Sequence, residues 1–194
     1  MLIVLFLGIA DFGRVFQAGI TVEGIARNSA EILANDERMS ELTDAGCDAT
    51  CRTTNYSELH SLAAATACDE AKRLDPSTDV DGTCSGLLVV GACIHDADTM
   101  NALGATGDST CGVVTGGTLP DGCGDMKNAT EPWPNHQDGV VDPVTSKELR
   151  YVEVRVCYRF EPLFSELSLP LISYLVPHQI YLERTRSFSV SMDY

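Results

Sequence analysis

The chain of 194 residues predicts an α+β fold, in which one long N-terminal α-helix carries a disulfide-stapled head containing an antiparallel β-sheet. Three observations carry that prediction. No proline occurs in residues 1–75, where apolar and small residues recur at helical spacing. All eight cysteines lie beyond residue 46. Two segments near the end, 150–160 and 180–194, alternate with the period of a strand. The chain therefore divides into an N-terminal helical segment, 1–45, and a cysteine-rich α+β head, 46–194.

The helical segment opens with MLIVLFLGIA, which is nearly all apolar. Ten residues at ~1.5 Å each fall short of a ~30 Å hydrocarbon core. A signal peptide wants a basic start, which Met1-Leu2-Ile3 lacks. Two other readings are a membrane helix that continues through Asp11 and Arg14 to Ala26, and a mature end left by removal of a basic leader. The pattern beyond residue 10 argues against a discarded peptide. Ala10, Ala18, Ala26, Ala30 and Ala34 form one helical stripe, and Gly8, Phe12, Phe16, Ile20 and Gly24 form a second. Glu23, Arg27 and Glu31 follow at four-residue steps as charge pairs. A helix over residues 1–34 would be ~50 Å long. Glycines at 8, 13, 19 and 24 each cost about 1 kcal/mol against alanine, a cost tolerated where another backbone comes close. Ala10, Ala18, Ala26, Ala30, Phe12 and Phe16 are thus the candidate helix-packing residues.

Residues 35–46 are polar and predict a short second helix or a break in the first. YSELHSLAAATACDEAKRL (56–74) predicts an amphipathic helix capped by Ser57, with Leu59, Leu62, Ala63, Ala67 and Leu74 on one side and Asp75-Pro76 as its stop. GLLVVGACIH (86–95) predicts a strand. Residues 96–148 are rich in Gly, Asp, Thr, Asn and Pro and need pinning, for which Cys111 and Cys123 are placed. In RYVEVRVCYRF (150–160), Val152, Val154, Val156, Tyr158 and Phe160 face one side, and Glu153, Arg155, Cys157 and Arg159 the other. Residues 162–177, with three prolines, predict an irregular connection. In 180–194, Phe188, Val190 and Met192 turn inward and Ser187, Ser189 and Ser191 outward, so the two long strands are expected to be antiparallel neighbours.

Charge and composition exclude several functions. A net charge of -15 argues against nucleic acid, whose phosphates need basic patches, and against charge-driven adhesion to anionic lipid. No CxxC or CxxCH occurs, so Cys47, Cys51, Cys68, Cys84, Cys93, Cys111, Cys123 and Cys157 read as disulfide candidates in an oxidising compartment rather than metal ligands. Their pairing is left open. Of the four histidines, His60, His95, His136 and His178, only His95-Asp96 sits where a catalytic pair would. Without a GxSxG or HExxH motif, a secreted enzyme is the least favoured reading. STDVDG (77–82) imitates a calcium-loop start, but Leu88 stands where the closing Glu belongs, and a solvated acidic turn is expected. No metal and no cofactor is expected. Asn55 and Asn128 match the N-glycosylation pattern. Trp133, in EPWPNH, is expected to pack over its own loop.

FLGIADFGRVFQAGITVEGIARNSAEILA resembles the N-terminal signature of TadE-like pilins of tight-adherence (type IVc) pili. The matching positions are Gly8, Ile9, Asp11, Gly13 and Arg14, then Ala26, Arg27 and Ala30, within the first 34 residues or so. The final strands resemble the family loosely. Two departures stand out: the longer leading run with a Glu near a peptidase site is missing, and Glu31 replaces the second Arg of the family's GAR element. The first fits either leader cleavage before Met1 or a chain beginning part-way into the protein. The resemblance implies a precursor inserted in the membrane, a prepilin peptidase and pilus-assembly machinery as partners, and self-assembly through this helix into an extracellular filament. A membrane-anchored minor pilin or assembly accessory is the alternative. Asp11, Arg14 and Gly13 are then the expected register residues. Asp11 and Arg14 would either neutralise each other, or Asp11 would reach a neighbour's Arg14 or Met1 amine.

Overall fold

The computed structural model describes residues 2–41, 46–74, 79–80, 83–84, 88–95, 111–113, 123, 151–162 and 179–190. Helix α1 runs Leu2–Ala34 without interruption, as the absence of proline and the helical stripes predict. It stops where Asn35 folds its side-chain amide back to the Glu31 carbonyl, 2.9 Å away. Both readings of the polar stretch then hold: the chain turns at residues 35 and 36, and a short helix α2 follows over Glu37–Glu41. Asp36 starts α2 by accepting from the Arg38 amide at 3.0 Å and from the Arg38 guanidinium at 2.6 Å. The Arg38 guanidinium holds the Asp36 carboxyl below the usual carboxylate range, against a smaller opposing effect of burial.

Helix α3 spans Ala49–Ala71, starting seven residues before the predicted 56. The cap is Asp48 and not Ser57. The Asp48 carboxylate accepts the Cys51 amide at 2.9 Å, satisfying one of the helix's orphan donors. A disulfide between Cys47 and Cys51 straddles this first turn. Ser57 lies inside the helix, where its carbonyl accepts from the Ser61 hydroxyl. The predicted inner face is otherwise as expected, with Leu59, Ala63 and Ala67 buried and Leu62 and Leu74 packed against the core.

Strands β1 (Asp79–Val80) and β2 (Thr83–Cys84) pair antiparallel, so Asp79 of the acidic turn belongs to a small two-stranded sheet. Strands β3 (Leu88–His95), β4 (Cys111–Val113), β5 (Tyr151–Phe160) and β6 (Ile180–Ser189) build a four-stranded sheet in the order β4-β3-β5-β6. Every pairing in it is antiparallel, including the predicted β5–β6 neighbours, which run from Tyr151↔Ser189 to Phe160↔Ile180.

The core lies between this sheet and the helices. Val152, Val154, Val156, Tyr158 and Phe160 of β5 face it, with Phe188 and Val190 as predicted; Met192 and Ser191 lie outside the described residues. Helix α1 contributes Ala18, Val22, Ile25, Ala26, Ala30 and Leu33 to the same core, packing against α3, β5 and β6. The other face of β5 is covered as well. Glu153 and Arg155 are buried there, joined by a 2.9 Å ion pair with each side chain 5% exposed. Cys157 on that face is bonded to Cys123, so the long middle segment is tethered to it. Cys68 and Cys93 are also disulfide-bonded, and no cysteine among the described residues is free.

Candidate assembly face on the N-terminal helix

The two stripes of α1 have different fates. Of the alanine stripe, Ala18, Ala26, Ala30 and Ala34 are buried inside the subunit, and only Ala10 is exposed. The small residues let α1 lie close to its own α3 and sheet. The second stripe points away from the head. Leu5, Phe6, Ile9, Phe12, Phe16 and Ile20 are 58–74% exposed along one side of the helix. Roughly 700 Å² of apolar side chain is thereby open to the surroundings. A monomer's largest exposed patch is ordinarily ~300–600 Å². Beyond Ile20 the outer surface turns polar, with Arg27 and Glu31 exposed.

Asp11 and Arg14 stand where the helix meets the end of the sheet. The Arg14 guanidinium donates to the Asp11 carboxylate at 3.1 Å and lies 5.1 Å from the centre of the Phe160 ring. One helical turn separates the pair, so the ordinary helical backbone brings them together. The ring of Phe160 adds a cation–π contact that ties the helix to the end of β5. Asp11 is only 7% exposed, whereas the Arg14 side chain is 45% exposed. Higher up, Glu23 forms ion pairs with Arg186 and, at 3.7 Å, with Arg184 of β6. These contacts to Phe160, Arg184 and Arg186 carry no local sequence signal, because their partners lie well over a hundred residues away.

Gly13 is exposed, and a Cβ there would meet no atom within 4 Å; the same is true at Gly24, while one at Gly19 would sit 3.8 Å from Arg184. By length and composition alone, Leu5–Ala34 is long and apolar enough to cross a membrane, and only 17% of its most apolar stretch is buried.

The remaining candidates divide clearly. Asn55 is not a glycan acceptor: it sits inside α3, nearly buried, and its amide donates to Glu41 at 3.1 Å. A glycan needs an exposed, locally free asparagine. Asn128, Trp133, His136, His178, Asp75, Asp81 and the 162–177 connection beyond Pro162 lie outside the described residues. His95 closes β3; His60 lies half-buried on α3 and has a partner. Among the described residues, no three His, Cys, Asp or Glu side chains converge as a metal site would require. No family model, curated protein or solved structure matches the chain.

Proposed function

We propose that this chain is a structural subunit of an extracellular pilus-like filament, of the TadE-like kind its first 34 residues resemble, and that α1 is its assembly element. The observation that carries the reading is the exposed apolar face from Leu5 to Ile20. Its area of roughly 700 Å² is close to the ~800 Å² that each partner brings to a standard protein interface. Burying it against copies of the same helix removes that surface from water, which is the dominant drive for association. Before assembly the same face suits a lipid environment, with the ionic contacts at Asp11–Arg14 and Glu23 closed within the subunit. The head, held by disulfides, forms the outer surface.

Cryo-electron microscopy of filaments sheared from the native cells tests this reading. The expected map has this chain as its repeating unit, with Leu5–Ile20 in the filament core. A map whose core density cannot hold that segment refutes the proposal. A chain present only in trace stoichiometry would instead assign it as the minor pilin.

A further inference from the structure

We infer that the outer face of α1 is divided into a ridge and a seat, and that the Phe12 and Phe16 rings of one copy settle over Gly13 of another. The inference rests on the reading that α1 packs against copies of itself. Phe12 and Phe16 are 74% and 65% exposed, so most of each side chain is uncovered in its own subunit. Residue 13 lies beside them and carries no side chain. Its neighbours on the helix surface, at three and four residues' distance, are Ile9, Ala10, Phe16 and Gln17. They border a depression left open at Gly13, since even a Cβ there would touch nothing.

Within the subunit this glycine has no use. It costs the helix about 1 kcal/mol against alanine, and no backbone or side chain of the head approaches to take advantage of the space. An occupant that fits must bring a flat apolar group to an exposed apolar helix. A second copy brings that group on the same segment, and the area on offer matches what a stable protein contact needs. Seating the rings over Gly13 would let the two helix axes approach more closely than a side chain at 13 permits.

The test places the photo-crosslinking analogue p-benzoyl-phenylalanine at position 16 of the full chain, assembled from a mixture of isotopically light and heavy copies. Mass spectrometry then maps crosslinks that join a light copy to a heavy one. The expected products join residue 16 to residues 9–17 of the other copy. Gly13→Leu should lower their yield about tenfold or more and leave the circular dichroism of the subunit unchanged, because the new side chain enters open space. Crosslinks that land on the head overturn the seat at Gly13, and so does a yield indifferent to Gly13→Leu in a chain that still assembles. Copies that never crosslink to one another anywhere along α1 overturn the assembly reading itself.

Discussion

Ile25 and Phe16 are large apolar residues on the same helix, and the structure gives them opposite consequences. Ile25 is 0% exposed in the core formed with α3 and the sheet. Ile25→Ala removes buried atoms and leaves a cavity, which should cost about 2–5 kcal/mol. That is a large part of a typical stability of ~5–15 kcal/mol. With a urea slope of about 2–3 kcal/mol/M, the unfolding midpoint should fall by roughly 1–2 M. Phe16 keeps 65% of its surface exposed. Truncating it forfeits little shielding, and alanine recovers several tenths of a kcal/mol in helix propensity, so the net change should stay below about 1 kcal/mol. Urea unfolding of the detergent-solubilised full chain, followed by circular dichroism at 222 nm, measures both. Assembly should rank them the other way: Phe16→Ala weakens copy-to-copy association, and Ile25→Ala spares it under conditions where the subunit remains folded. If Phe16→Ala lowers the midpoint as much as Ile25→Ala does, the outer face is covered within the subunit and is not open to a second copy.

Three further outcomes follow from contacts within the subunit. Glu153→Gln removes the carboxylate that pairs with the buried Arg155 guanidinium and should destabilise by about 3 kcal/mol, whereas the apolar pair Glu153→Leu with Arg155→Met should recover much of the loss; urea titration of both reads the difference. Asp36 titrates below its ordinary value because Arg38 bonds its charged form, so its contribution is present above the unfolded-state pKa of ~3.9 and is lost as pH falls through the lower folded value. Asp36→Asn should accordingly flatten the decline of thermal stability below about pH 4, and an unchanged acid limb would contradict this. Cys123–Cys157 spans 34 residues of sequence and Cys47–Cys51 spans 4. Loop-closure entropy gives the longer about 4 kcal/mol and the shorter about 2. Replacing each pair by alanine and comparing melting temperatures checks that order.

Much of the architecture is legible in the residues. An unbroken helical pattern without proline marks α1, and period-two alternation marks β5 and β6. The start of α3 is hidden because ATCRTTN, with its three threonines, is weakly helical on its own; the Asp48 cap and the Cys47–Cys51 bond establish the first turn. The buried second face of β5 is hidden for a different reason. Alternation shows which residues share a face but not whether that face is covered, and Glu153 and Arg155, two residues apart, are buried there as an ion pair. The exposed face of α1 is half visible in the sequence. Phe12, Phe16 and Ile20 stand out as a stripe, yet the alanine stripe looks equally suited to meet a neighbour. Small residues permit close approach by any partner, and in the structure that partner is the subunit's own head.

The packing of Ala18, Val22, Ile25, Ala26, Ala30 and Leu33 of α1 into the core also decides how mechanical load passes through the molecule. A pull on the apolar half of α1 along the helix axis does not reach the head only through the turn at residues 35 and 36. It is shared laterally across the contacts with β5, β6 and α3 and through Arg14 on Phe160 and Glu23 on Arg184 and Arg186. Detaching the helix would require shearing that whole surface at once rather than peeling it contact by contact, so α1 and the head would bear tension as one body.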